Sequence, residues 1–97
     1  MLVLVTYDVS VITLAGRRRL RNIARICLNY GVRVQNSVFE CEVEPAQFVS
    51  LRASLIDAYN QQEDSLRFYF LGKKGKQKIE HLGVKTVKDP LRDTLIL

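Results

Sequence analysis

Tryptophan is absent from the 97-residue chain, histidine and methionine occur once each, and cysteine and proline only twice. A lone histidine, His81, has no second ligand of its own kind and no nucleophile at triad spacing. Ser-His-Asp and Cys-His catalysis are therefore disfavoured, and a strand or surface role suits His81 better. Cys27 and Cys41 are separated by 13 residues, with neither CxxC spacing nor a neighbouring histidine, which argues against a zinc or redox motif and for buried, reduced thiols. Long apolar runs are missing too. The longest, Met1 to Val5, falls far short of the roughly 18 residues of a membrane span. No basic segment precedes it and Asp8 follows at once, unlike a secretion signal. A cytoplasmic protein with no membrane partner is expected. Polar low-complexity tracts, the mark of disorder, are also lacking.

What is present is an ordinary folding composition, 47% hydrophobic and 26% charged, in a length that suits one domain and leaves much apolar surface uncovered. Pairing with a second copy would cover some of it, so a homodimer is expected. The net charge of +5 is unevenly spread. Residues 1–33 hold six arginines against Asp8 alone, residues 34–64 six acids against Arg52, and residues 65–97 eight basic residues against three acids. Such segregation favours an anionic partner on surfaces built by the first and last thirds; a merely solvated basic surface is the alternative.

Met1 to Val9 is apolar and β-branched, and reads as a central strand. Alternation places Leu2, Leu4, Thr6 and Asp8 on one face, so that Asp8 is expected to point the same way as core leucines. Ser10 to Gly16 reads as a loop. A helix is expected from about Arg17 to Tyr30, with Leu20, Ile23, Ala24 and Cys27 inward, Arg18, Arg21, Asn22, Arg25 and Asn29 outward, and Gly31 as its stop. Residues 32–43 read as two strands joined by a tight turn, or as one strand bulged at Asn36 and Ser37. Pro45 opens a second helix carrying Phe48, Leu51, Leu55 and Tyr59 and ending near Asn60. Ser65 to Leu71 is a further strand, and Ile79 to Gly83 a short fifth one. Up to Leu71 the order is βαββαβ, the ferredoxin-like α+β sandwich with an antiparallel sheet covered by two helices on one side. The domain is placed at 1–83, and the tail 84–97, ending in an apolar TLIL, is expected to pair with a sheet edge, its own or a partner's.

That fold hosts many functions, so function must come from residues. Asp8 is the out-of-pattern residue of the first strand. A carboxylate there is costly unless it lies at the open strand end, is hydrogen-bonded, or binds a cation; capping the following loop is the structural alternative. One aspartate builds a poor magnesium site, since that ion takes octahedral oxygen ligands, usually one or two carboxylates with water and phosphate. Two copies of Asp8 meeting near a twofold axis could hold a hydrated Mg²⁺ against a phosphodiester. Without the ion they would repel, so metal binding should strengthen as pH rises and both ionise. The GKKGK segment lacks the P-loop pattern, and its lysines read as mobile phosphate contacts or as solvated charge. Phe68, Tyr69 and Phe70 lack the basic-glycine-aromatic signature of an RNA-recognition sheet, and core packing suits Phe68 and Phe70.

The opening strand ending in Tyr7-Asp8-Val9, the basic helix, and Arg33-Val34-Gln35-Asn36-Ser37-Val38-Phe39-Glu40 together resemble the CRISPR-associated protein two family over about residues 1–83. The resemblance implies a homodimeric, metal-dependent endonuclease on DNA or RNA, belonging to the machinery that inserts new spacers into a CRISPR array and partnered there by an integrase subunit. It implies that Asp8 is the catalytic residue and magnesium ligand, shared with Asp8 of the second protomer, with Tyr7, Ser37 and Phe39 in support. Arg17, Arg18, Arg19, Arg21, Arg25 and Arg33, with Lys73, Lys74, Lys76 and Lys78, are expected to contact nucleic acid. A non-catalytic DNA-binding scaffold for the integrase is the alternative.

Overall fold

The computed structural model describes residues 1–72 and 77–84. Lys73, Lys74, Lys76 and the tail from residue 85 lie outside the described residues, and with them the expected tail pairing. The chain runs β1 (Leu2–Asp8), α1 (Leu14–Leu28), β2 (Gly31–Gln35), β3 (Val38–Glu42), α2 (Pro45–Ala58), β4 (Ser65–Leu71) and β5 (Gln77–Gly83). The five strands form one sheet in the order β2-β3-β1-β4-β5. Every neighbouring pair is antiparallel. This is the expected ferredoxin-like α+β arrangement, with β5 added beside β4. No helix among the described residues is long and apolar enough to cross a membrane.

β1 lies at the centre, and its residues Val3 to Tyr7 are all buried. Val3, Val5 and Tyr7 face the helices and join Ile23 and Cys27 of α1, Leu51 and Leu55 of α2, and Phe39, Cys41, Leu66 and Phe68 in the main core. Phe48 of α2 meets Phe68 and Phe70 edge-on, with ring centroids 5.4 and 5.1 Å apart, the geometry that the aromatic quadrupole favours. Leu4 belongs to a second, smaller cluster with Val38 and Tyr69 on the open side of the sheet. Asp8 shares a face with Leu2 and Leu4 as alternation requires, but that face carries only the smaller cluster: the helix-covered core is built on Val3, Val5 and Tyr7 of the opposite face.

Both ends of α1 differ from the sequence reading, and β5 starts at Gln77, ahead of the expected Ile79. α1 starts at Leu14 because Thr13 caps it, its hydroxyl accepting from the Gly16 N–H at 3.0 Å and satisfying an amide that the first turn leaves over. It stops at Asn29 and Tyr30, whose N–H groups reach back to Ile26 and Cys27 at 3.2 and 2.9 Å. Gly31 opens β2 instead, at a place where a Cβ would strike the Glu40 carbonyl. Residues 32–43 resolve into two strands joined at Asn36 and Ser37, with the register shifting between Arg33 and Gln35. α2 begins at Pro45, with the Glu44 N–H donating to the Gln47 side chain at 2.8 Å. β5 is held to α2 by Arg52 and Glu80, paired twice at 2.8 and 3.1 Å.

Cys27 and Cys41 are free and buried, the Cys41 thiol directed at the Cys27 carbonyl 4.0 Å away. Burial, with the Glu40 charge behind it, pushes the Cys41 thiol up to about 11 from its ordinary 9.0. Burial, with Cys41 next to it, pushes Cys27 up as well. The fold therefore keeps thiol protons that the unfolded chain releases, so this contribution is whole below pH 9 and shrinks above it. The unfolding free energy from urea titration should fall between pH 9 and 11, by up to about 1.4 kcal/mol per unit for each thiol. Cys41→Ala should make that fall shallower.

Candidate functional site

Asp8 is the last residue of β1, exposed, and paired in register with Ser65, the first residue of β4. Its side chain makes no hydrogen bond or ion pair with the described residues. Directly behind it in sequence, Tyr7 points to the other side of the sheet and is 1% exposed. Ser37, half-buried in the β2–β3 turn, accepts the Tyr7 N–H through its carbonyl at 2.9 Å. Phe39 is fully buried beneath Arg33, whose guanidinium sits 5.2 Å above the ring. Of the three expected supports, Ser37 therefore reaches the end of β1 by backbone, while the side chains of Tyr7 and Phe39 lie on the helix side of the sheet.

The expected phosphate contacts divide. Arg18, Arg21 and Arg25 are exposed and recur at helical spacing along the outer side of α1, forming one basic stripe. Arg17 is exposed and donates to the Val11 carbonyl at 3.2 Å. Arg33 stands on β2, and Lys78 on β5 is exposed opposite Phe70. Arg19 is engaged differently. Its Nε and Nη2 donate to the two carboxylate oxygens of Asp64 at 2.8 and 3.1 Å, and Nη2 also reaches Glu63 at 3.1 Å.

Asp64, which the sequence reading did not single out, is the centre of this part of the molecule. Its side chain is wholly buried. It accepts from the Tyr7 hydroxyl, from Arg19, and from the Asn60 N–H at 2.9 Å. Its carbonyl takes the Val84 N–H at 2.9 Å. Gly83, at a φ of 90°, turns the end of β5 close by, where a Cβ would strike the Asp64 carbonyl. Such a conformation and approach suit glycine alone. Burial first, then the bond to Asp64, hold the Tyr7 hydroxyl protonated far above the ordinary tyrosine range. The Asp64 bond likewise holds the Arg19 proton more tightly than usual. A buried charge pair of this kind needs every lone pair matched to a donor, and among the described residues no buried side-chain polar atom lacks a partner.

Asp8 and the basic stripe are on opposite sides of the molecule's layers. Asp8 shares the open face with Leu4 and Thr6, whereas α1 covers the face of Val3, Val5 and Tyr7, and its arginines point outward from there. The described residues contain no group of three or more His, Cys, Asp or Glu able to hold a metal. At the end of β1, Asp8 is therefore not part of a ligand cluster within the described residues of one protomer. An exposed oxygen donor without an internal partner suits magnesium, which completes its shell with water and phosphate.

A family model described as CRISPR associated protein Cas2 matches residues 1–79. The chain is 60% identical over 97 residues to a CRISPR-associated endoribonuclease Cas2 of Chlorobaculum tepidum, spanning 100% of both chains. It is 51% identical over 96 residues to a CRISPR-associated endonuclease Cas2 of Halalkalibacterium halodurans, covering 99% of each. Among solved structures, Cas2 of Streptococcus pyogenes superposes with a TM-score of 0.73 at 57% identity, over 76% of this chain and 89% of that one.

Proposed function

The chain belongs to the CRISPR-associated Cas2 family, and on that premise we propose that it is a magnesium-dependent endonuclease of CRISPR adaptation, hydrolysing phosphodiester bonds as a homodimer. The observation that carries this reading is the exposed, unpartnered Asp8 at the end of the central strand. A carboxyl group left open there has no partner among the described residues, and an oxygen donor is what a hard divalent ion takes. Asp8 would hold the ion together with Asp8 of the partner subunit. When bound, magnesium neutralises charge on the scissile phosphate and acidifies a coordinated water.

The open sheet face supports pairing of two copies. No helix of the described residues covers it, and beside the buried Leu4, Val38 and Tyr69 it exposes Val32 and Ile79, 59% and 49% accessible. A patch of this sort is what an isologous contact between copies covers. Such pairing brings the Asp8 faces together and leaves the Arg18, Arg21 and Arg25 stripes outermost, free for a nucleic acid backbone. The separation of stripe and carboxylate favours a second reading, in which the dimer presents duplex DNA to a CRISPR integrase subunit and Asp8 is not needed for binding.

Cleavage of labelled single-stranded RNA and duplex DNA, with Mg²⁺ or with EDTA, by wild type and Asp8→Asn, separates the two. Magnesium-dependent cutting that the variant loses supports the nuclease. Binding without cutting, or cutting that survives in Asp8→Asn, supports the scaffold. Under either reading, Arg18→Ala with Arg21→Ala should weaken binding of unrelated sequences alike and lower the slope of log K against log salt by about 2, because two phosphate contacts and their released counterions are lost. An unchanged slope would remove the stripe from the interface.

A further inference from the structure

We infer that Asp64 is a positioning residue for Asp8, acting through the Tyr7 hydroxyl; this rests on the nuclease reading above. Asp8 ends a seven-residue strand, and strand ends are where a sheet frays. Asp64 immediately precedes Ser65, the register partner of Asp8, and Tyr7 immediately precedes Asp8 on the neighbouring strand. The Tyr7–Asp64 hydrogen bond therefore fastens the last rungs of the β1–β4 ladder from beneath, while Asp8 stands on the face above.

Asp64 is itself fixed from three further directions. Arg19 ties it to α1, the Asn60 N–H to the loop after α2, and the Val84 N–H to the end of β5. A carboxylate needed only to neutralise Arg19 would serve equally at the surface, as Glu63 does at 63% side-chain exposure. Burying Asp64 completely and aiming one of its oxygens at the tyrosine under the catalytic strand end gives a rigid anchor instead. Catalytic groups must be held within about 0.5 Å of their working geometry by surrounding hydrogen bonds, and small misplacements lower rates by orders of magnitude.

The test uses the full chain with Tyr7→Phe, which keeps the ring and removes only the hydroxyl, and Asp64→Asn, each assayed well below its melting temperature. Arg52→Gln serves as the control, since it breaks the ion pair between α2 and β5 and has no tie to β1. Two quantities are read: kcat and KM for labelled RNA with Mg²⁺, and the NMR order parameter of the Asp8 amide. In Tyr7→Phe and Asp64→Asn, kcat should fall at least tenfold with KM within twofold. The Asp8 order parameter should drop from the rigid level of about 0.85 toward 0.6. Arg52→Gln should change neither. A kcat within twofold of wild type in folded Tyr7→Phe and Asp64→Asn overturns the inference, and so does a lowered kcat with an unchanged Asp8 order parameter. If the wild type does not cut at all, the nuclease reading fails by itself and the order parameter decides: a drop upholds the anchoring of Asp8, and an unchanged value overturns it.

Discussion

Asp64→Ala is expected to destabilise the fold by about 3–5 kcal/mol, the range for removing one partner of a buried ion pair. The alanine removes the acceptor of Arg19, the Tyr7 hydroxyl and the Asn60 N–H together. Tyr7 is 1% exposed and the Arg19 side chain 18%, so water replaces these bonds only in part. For a domain of this size each kcal/mol corresponds to several degrees, and the melting temperature should drop on the order of 15–25 °C. Arg19→Met should destabilise less, because Asp64 keeps the hydroxyl and the Asn60 amide as donors and Glu63 remains in solvent. Circular dichroism melts of the two variants check the ranking. An Asp64→Ala protein melting within a few degrees of wild type would show that the buried pair contributes little.

Asp8→Asn should behave in the opposite way, leaving stability within about 0.5 kcal/mol of wild type, as for an exposed residue away from special features, while removing magnesium-dependent cleavage. The asparagine keeps shape and one carbonyl oxygen but loses the negative charge that attracts the ion. A loss of at least 100-fold in kcat is expected, on the order of 3 kcal/mol of transition-state stabilisation. The combination is diagnostic: a variant that melts like wild type but does not cut assigns Asp8 to chemistry and not to the fold. Binding of duplex DNA should be unaffected under the proposed role of the α1 stripe, whose arginines lie on the far side of the helix layer from Asp8.

Much of the architecture could be read from the sequence because local and global signals agree in it. Ser65–Leu71 was expected as a strand over the observed residues, and the stripe Leu51 and Leu55 of α2 packs as its periodicity required. β1 shows where such reading stops. Its residues from Val3 to Tyr7 are buried on both faces, so alternation sorts them into two sets but contains no polar set to mark the side without helices. Only the packing of α1 and α2 decides that. Gly31 was assigned to the helix stop because glycine so often stands there, whereas it is the approach of the Glu40 carbonyl that requires it.

At the site, Asp8 was legible as a carboxylate out of place in an apolar strand. Asp64 was not, because an acid at the junction of loop and strand looks like ordinary turn chemistry. Its donors Tyr7, Arg19 and Asn60 come from three separate elements. By the same token, Arg19 sits among Arg17 and Arg18 with nothing in the sequence to show that its guanidinium turns inward while Arg18 faces solvent. Charge counts the three alike, and only the tertiary fold separates them.

The two buried thiols also make the protein its own reporter. Cys27 comes from the last turn of α1 and Cys41 from β3 beside the central strand, and neither is accessible in the native state. A reagent that modifies cysteine reaches Cys27 once the last turn of α1 opens, whereas Cys41, on the inner face of β3, waits for the helix layer to part from the sheet. The two labelling rates under native conditions, without denaturant, therefore separate opening of the helix end from opening of the domain.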